Sequence, residues 1–123
     1  MCSRIAQNAN ILADYVGTGC EPAKGKDGTV DLVIVARKPI FYKPDTKKAW
    51  LLVIMGAVGK ELTDHADVPI GDIIVTDTAL ASQEIMYSFP AQLAKTLRNR
   101  VHGGEMTLLE AYAELLEGMH RAQ

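Results

Sequence analysis

The first segment of the chain carries apolar residues at helical spacing. The residues on the shared face are Ile5, Ala9, Leu12 and Val16, which stand four, three and four positions apart. This spacing is typical of an amphipathic helix. Ser3 can cap its amino terminus, and a glycine follows Val16, so we predict a helix over Ser3–Val16. A strand over Ile11–Val16 is the alternative.

Three later segments have the composition of β-strands. Val30–Arg37 and Asp72–Thr76 are rich in β-branched residues, and Ala49–Met55 contains no polar residue. A strand that is covered on both faces has this continuous apolar character. Prolines and charged residues separate Val30–Arg37 from Ala49–Met55, so we predict that a long β-hairpin joins them. Gly19–Thr29 is rich in glycine and charged residues and is predicted to be a loop.

Helix-start signals mark the middle of the second half of the chain. Asp77 or Thr78 can accept the free amides at the start of a helix that runs to about Met86. Pro90 suits the first turn of the next helix, in which leucine and valine recur every four positions. We therefore predict two consecutive helices between Asp77 and Gly103.

The last predicted helix has the strongest local signal. Thr107 and Glu110 match a capping box, in which each side chain accepts an amide from the other end of the motif. The apolar residues that follow are Leu108, Leu109, Tyr112, Leu115 and Leu116, and Gly118 can end the helix.

These elements predict a single domain over residues 1–123. The fold class is α+β, with a mainly antiparallel sheet of at least three strands and helices packed on one face. Hydrophobic residues make up 48% of the chain, which excludes a disordered protein. The longest apolar run is too short to cross a bilayer, so no membrane association is expected.

Two cysteines and the overall charge bear on location and partners. No leader pattern is found, so Cys2 and Cys20 are expected to be reduced thiols and the protein to be cytoplasmic. The net charge of −2 argues against a dedicated nucleic-acid binder. The sequence does not identify a cofactor.

Charge is distributed unevenly along the chain. Residues 29–48 hold five basic and two acidic side chains, whereas residues 49–84 hold one basic and six acidic side chains. The two blocks could pair within the fold or across a subunit interface, or could form two separate solvated faces.

An acidic segment is the first candidate for chemistry. Asp64, His65 and Asp67 lie within four residues, and Asp77 follows downstream. Mixed carboxylate and imidazole ligands suit a transition metal, and a carboxylate beside a histidine suits general-base catalysis. A small metal-assisted or acid–base enzyme that uses this loop with Asp77 is therefore one hypothesis. The alternatives are a solvated acidic loop and a helix cap at Asp77.

A basic and aromatic segment is the second candidate. We expect an interface at the tip of the predicted hairpin, formed by Phe41, Tyr42, Lys43, Lys47, Lys48 and Trp50. Aromatic residues are enriched at protein interfaces, and aromatics interleaved with lysines also bind single-stranded nucleic acid or other anions. An ordinary exposed hairpin is the alternative.

The favoured interpretation is a non-catalytic small subunit or protein-binding module of an oligomer or larger complex. A short chain this rich in apolar residues is expected to leave an apolar patch exposed, and such patches mark partner surfaces. The partner would be another protein or further copies of the chain.

Overall fold

The computed structural model describes residues 1–12 and 16–122, without the side chains of residues 11 and 12. Within these residues the chain forms five helices and a five-stranded sheet. In chain order the elements are α1 (Cys2–Leu12), β1 (Thr18–Lys24), β2 (Val30–Ala36), α2 (Pro44–Asp64), β3 (Ile70–Asp77), α3 (Thr78–Ser82), β4 (Tyr87–Pro90), α4 (Ala91–His102), α5 (Leu108–Glu117) and β5 (His120–Arg121).

The strands lie side by side in the order in which they occur along the chain. β2 and β3 are parallel, and the other three pairings among the described strands are antiparallel. Parallel neighbours need a crossover connection, which α2 supplies here. The α+β class is therefore confirmed, and the sheet is mixed but mostly antiparallel.

The predicted hairpin between Val30–Arg37 and Ala49–Met55 is wrong. Ala49–Met55 lies inside α2, a helix of 21 residues that begins with Pro44 in its first turn. α2 packs against α1, α4 and α5, so apolar residues surround much of its circumference. Because the helix is covered on several sides, its apolar run lacks the helical periodicity that would distinguish it from a buried strand.

The predicted loop over Gly19–Thr29 is also wrong over most of its length, because β1 covers Thr18–Lys24. Among the strands that the structure describes, β1 pairs only with β2 and forms an edge of the sheet, and Glu21, Pro22 and Lys24 are exposed. An edge strand tolerates proline and polar residues, which hid it in the sequence. The chain reverses after β1, where Asp27 and Gly28 both have positive φ angles, at 52° and 81°.

The cysteines are joined in a disulfide and are not free thiols. Cys2 in α1 and Cys20 in β1 are bonded, with their Cα atoms 5.3 Å apart, and the two residues are 18 positions apart in the sequence. The positions of the two cysteines in the sequence do not indicate a disulfide, because their contact depends on how α1 packs against β1.

The predicted helices of the second half are largely confirmed. α4 begins directly after Pro90, and α5 begins with the full capping box of Thr107 and Glu110. The helix after Asp77 is shorter than predicted and ends at Ser82, because the chain then turns into β4. The predicted first helix corresponds to α1, and the part of the prediction after Leu12 falls largely outside the described residues.

A single apolar core connects α2 to the sheet and to the other long helices. The largest of its fully buried side chains is Trp50, whose Nε1 donates a hydrogen bond of 3.0 Å to Thr18 Oγ1 on β1. Alternate residues of β2 are buried, namely Leu32, Ile34 and Ala36. The carboxyl ends of β2 and β3 pack on this core through Ala36 and Val75. The largest of the pockets described below opens at these strand ends.

Candidate binding site

A surface pocket of about 520 Å³ opens at the carboxyl ends of β2 and β3. We call it the aromatic pocket. Its walls come from the segment after β2, the start of α2, α3, β4 and the end of α5. They comprise Phe41, Tyr42, Lys47, Asp77, Ala79, Leu80, Gln83, Tyr87, Leu116 and Met119. Ligands of sheets with parallel strands are commonly bound outside the carboxyl ends of those strands, and this volume suits a small molecule or a few side chains.

Stacked rings form one wall of the aromatic pocket. The Phe41 ring lies 5.9 Å from the Tyr87 ring with an interplanar angle of 10°, and it meets Trp50 edge-on at 6.0 Å. Phe41 and Tyr87 are half-buried, whereas Tyr42 is 70% exposed at the rim. The rings are therefore held in place from behind and are open in front, which suits contact with an apolar or aromatic group.

Lysines stand around these rings. Lys47 Nζ lies 5.8 Å from the centroid of Phe41, and Lys43 Nζ lies 5.5 Å from that of Tyr42. Lys48 sits farther round α2, with its Nζ 6.0 Å from the Tyr112 ring. These distances place the ammonium groups over aromatic faces, so the pocket combines positive charge with apolar surface.

Asp77 holds the pocket wall in place. Its Oδ2 accepts hydrogen bonds from the amides of Ile40 and Phe41, at 2.8 and 2.9 Å, and its Oδ1 accepts one from Leu80 N at 2.8 Å. The side chain is therefore the N-cap of α3 and also the anchor of the segment that carries Phe41.

The environment of Asp77 does not suit a general base. The residue is 1% exposed. Burial raises the pKa of its carboxyl, but backbone hydrogen bonds from Leu80, Phe41 and neighbouring amides outweigh that effect, and the pKa lies below its ordinary value. Both oxygens already accept hydrogen bonds from backbone amides, so the carboxylate binds protons weakly.

The acidic loop lies at the other end of the molecule. Asp64, His65 and Asp67 are exposed at and beyond the end of α2, whereas Asp77 ends β3. β3 spans eight residues, so about 25 Å of strand separates the two regions. The structure therefore does not bring the acidic loop and Asp77 into one pocket.

Two side chains of the acidic loop pair with residues of α2. Lys60 Nζ forms a 3.0 Å ion pair with Asp64, and that hydrogen bond lowers the pKa of the Asp64 carboxyl. His65 Nε2 lies 3.4 Å from Glu61 Oε2. Among the residues that the structure describes, no group of three or more His, Cys, Asp or Glu side chains is placed to hold a metal ion.

The predicted interface residues separate into surface and core. Phe41, Tyr42 and Lys47 line the aromatic pocket, whereas Lys43 occupies the N-cap position of α2 and Lys48 lies within α2, beside Tyr112. Trp50 is completely buried, so it supports Phe41 from behind and cannot itself contact a partner. These residues lie at the start of a helix and not at a hairpin tip.

Several pocket residues were not identified from the sequence. Tyr87, Gln83 and Met119 lie outside any motif, and Leu116 was recognised only as one of the apolar residues of the last predicted helix. The aromatic character of Tyr87 was the one available signal, but its stacking on Phe41 depends on how β4 lies beside β3.

Parts of the two charge blocks lie at opposite ends of α2. The helix has 21 residues and is therefore about 30 Å long, with Lys47 and Lys48 near its start and Asp64 and Asp67 at and beyond its end. At that separation these lysines cannot pair with these two carboxylates within one chain, whereas Asp77 of the acidic block lines the aromatic pocket together with Lys47. No helix in the described residues has the length and apolar character to span a membrane.

Comparison of the chain with protein-family models, with curated proteins and with solved structures gave no match. The aromatic pocket is therefore the candidate site of this chain.

Proposed function

We propose that the protein is a non-catalytic binding subunit whose aromatic pocket holds an acidic segment of a partner protein. The observation that carries this proposal is the open pair of stacked rings, Phe41 and Tyr87, beneath an exposed Tyr42 and beside Lys47. The partner segment would insert an apolar or aromatic side chain against the rings, and its carboxylates would meet the lysines. Central aromatic anchors surrounded by charged rims are typical of protein interfaces.

The chemistry of the pocket favours binding over catalysis. The carboxylate that lines it, Asp77, is engaged by three backbone amides, and the acidic loop of the enzyme hypothesis lies about 25 Å away. The other polar groups that line it are Lys47, Gln83 and two tyrosines. These groups suit hydrogen bonding and charge pairing with a bound segment.

Charge favours an acidic peptide over a nucleic acid. Residues 29–48 supply a local excess of basic side chains, but the whole chain carries a net charge of −2. Non-specific nucleic-acid binders usually present an extended positive surface, because affinity depends on neutralising many phosphates. A small positive rim around an apolar pocket is better matched to a few carboxylates.

Binding of defined peptides tests the proposal. Fluorescein-labelled peptides with a central tryptophan or leucine flanked by glutamates would be titrated with the full chain, beside their lysine-flanked counterparts and an oligo-thymidine. We expect the glutamate-flanked peptides to bind, and Tyr42→Ala and Lys47→Glu to weaken binding at least about tenfold. Lys26→Glu is the matched control, since Lys26 is exposed in the turn between β1 and β2.

Three results would contradict the proposal. One is the absence of binding by any acidic peptide at high micromolar protein. Another is unchanged affinity in Tyr42→Ala and Lys47→Glu. The third is tighter, steeply salt-dependent binding of oligo-thymidine that Lys47→Glu abolishes, which would assign the aromatic pocket to single-stranded nucleic acid.

The disulfide also bears on where the subunit would act. The expectation of a cytoplasmic protein depended on reduced cysteines, and disulfides persist mainly in oxidising compartments. The bond between Cys2 and Cys20 therefore favours an oxidising compartment for this subunit. Alkylation of thiols in the denatured, unreduced protein, taken directly from cells, would label neither cysteine if this is correct.

A further inference from the structure

α5 exposes apolar side chains that its own chain does not cover. Ala111 and Leu115 face the core, whereas Leu109 is 64% exposed and Leu116, one heptad later, is 37% exposed. Ala113 lies between them and is also exposed. We call Leu109, Ala113 and Leu116 the α5 stripe. Three glutamates, at positions 110, 114 and 117, accompany it, and α5 contains no basic residue.

A groove runs along the outer side of α2, next to α5. Its floor is formed by Leu52, Val53, Gly56 and Ala57, and Leu108 at the start of α5 forms part of one wall. The cavity measures about 380 Å³ and adjoins a second hollow of about 410 Å³ beside α1, with which it shares Asn8, Ala57 and Lys60. We call the two together the α2 groove.

Gly56 makes the α2 groove deep at its centre. A Cβ atom at this position would have no neighbouring atom within 4 Å, although Gly56 is in the middle of a long helix. Glycine destabilises a helix interior by roughly 1 kcal/mol relative to alanine, and no contact with the described residues requires it here. A glycine on an open helix face permits the close approach of another helix.

The rim of the α2 groove carries more positive than negative charge. The cations are Arg4, Lys60 and Arg98, and the carboxylates beside them are Glu61 and Asp64. Lys60 is paired with Asp64 at 3.0 Å, and Arg4 lies 3.9 Å from Glu61. Arg98 donates to the side chain of Asn99, a neutral group. The rim therefore has one cation in excess, Arg98, and this excess is complementary to a helix that carries glutamates alone.

We propose that the α5 stripe of a second copy of this chain occupies the α2 groove. α5 has 10 residues and is about 15 Å long, so it can lie along the groove as an amphipathic helix. Its glutamates would meet the basic rim. Direct pairing of two α5 helices would instead place like charges against each other, which disfavours that arrangement.

The arrangement closes as a twofold dimer. Leu108 lines the α2 groove and its neighbour Leu109 begins the α5 stripe, so the two surfaces are contiguous on one chain. In a dimer with a twofold axis between these surfaces, α5 of each copy would lie in the α2 groove of the other copy, so both grooves would be filled. Leu116 belongs to both the α5 stripe and the aromatic pocket, but Leu109 and Gly56, the positions varied below, do not line that pocket, so dimerisation is tested separately from the proposed function.

The first experiment measures mass against concentration by sedimentation equilibrium of the full chain. We expect a species of twice 13.4 kDa that dissociates on dilution. Leu109→Asp should raise the dissociation constant at least about 30-fold, since it places a charge in an apolar contact. Gly56→Trp should do the same, since its ring would fill the groove. Val68→Asp, an equally drastic change at a residue 37% exposed elsewhere, should leave dimerisation unchanged.

The second experiment mixes the two variants. Leu109→Asp disrupts the α5 stripe but keeps the α2 groove, and Gly56→Trp does the reverse. A heterodimer of the two variants therefore retains one intact contact, in which the stripe of the Gly56→Trp chain lies in the groove of the Leu109→Asp chain. We expect the mixture to form heterodimers at concentrations where each variant alone is a monomer. This result also shows that both variants are folded.

A wild-type chain that stays monomeric at high micromolar concentration would overturn the proposal. Dimerisation that survives both Leu109→Asp and Gly56→Trp would overturn it as well. If both variants are monomeric and their mixture does not associate, the reciprocal arrangement is wrong.

Discussion

Replacing Asp77 tests how the aromatic pocket is built. In Asp77→Asn, the remaining oxygen can still cap α3 through Leu80 N, but the new NH₂ group would face the amides of Ile40 and Phe41, which are also donors. A buried donor that loses its partner costs about 1–3 kcal/mol. Phe41 is half-buried, so water relieves part of the loss, and we expect destabilisation by about 2–4 kcal/mol. Asp77→Ala also removes the cap, which adds about 1 kcal/mol.

The pH dependence of this effect follows from the lowered pKa of Asp77. Burial acts to raise that pKa, and the backbone hydrogen bonds lower it further than burial raises it. A carboxyl with a lower pKa in the folded than in the unfolded state stabilises the fold above the unfolded pKa, which is about 3.9. That contribution is lost as the pH falls through the folded value. The difference in stability between wild type and Asp77→Asn should therefore be full at pH 7 and shrink below about pH 4.

Urea denaturation followed by fluorescence measures this difference. Trp50 is the only tryptophan in the sequence and is completely buried, so its emission reports unfolding. With a urea dependence of about 2 kcal/mol/M, the expected loss lowers the midpoint by about 1–2 M. Asp72→Asn is the matched control, because Asp72 is an exposed carboxylate on the same strand. It should change stability by less than about 0.5 kcal/mol.

Two results would refute the reasoning about Asp77. If Asp77→Asn were as stable as Asp72→Asn at pH 7, the carboxylate would not be holding the segment before α2. If the difference between wild type and Asp77→Asn persisted undiminished well below pH 4, its charge would not be the cause.

The remaining predictions concern three other local features. Reduction of the bond between Cys2 and Cys20, which closes a chain segment of 18 residues, should lower the free energy of unfolding by about 3 kcal/mol, and the Cys2→Ala/Cys20→Ala protein should not respond to reductant. Gly56→Ala should raise the melting temperature of the dilute protein, with a gain of up to about 1 kcal/mol, because its Cβ would meet open space. Gly59→Ala should lower it, because its Cβ would lie 2.5 Å from a side-chain carbon and 2.8 Å from a carbonyl oxygen of α4. Thr107→Ala should cost about 1 kcal/mol in urea denaturation, and Thr107→Ser should restore most of that loss, because serine keeps the capping oxygen.

The sequence correctly predicted the elements whose formation depends on residues that are close together in the sequence. The capping box at Thr107, the proline before α4 and the β-branched run in β2 act through neighbouring residues, and each predicted element was found. The basic and aromatic residues from Phe41 to Lys48 were likewise recognised as a candidate surface. Their location at the start of α2 and the burial of Trp50 were not recognised, because the helix was interpreted as a strand.

The candidate site was predictable only in part for the same reason. Phe41, Tyr42 and Lys47 are near neighbours in the sequence, so their composition marked them. Tyr87 and Met119 come from distant segments that β4 and the end of α5 bring to the same pocket. Asp77 was correctly considered as a helix cap, but its bonds to Ile40 and Phe41 cross 37 and 36 positions of sequence and had no local signal.

By itself the sequence determined the α+β fold class, the helices of the second half, the strands β2 and β3, and the chemistry of the segment before α2. These depend on side-chain size, backbone preference and hydrogen bonds within a few residues. The tertiary structure alone decided that Ala49–Met55 is helical, that Cys2 meets Cys20, and that the acidic loop and Asp77 lie at opposite ends. Each of these outcomes depends on contacts between segments that are distant in the sequence. For Ala49–Met55, a continuous apolar run has no periodicity that would distinguish a buried helix from a buried strand.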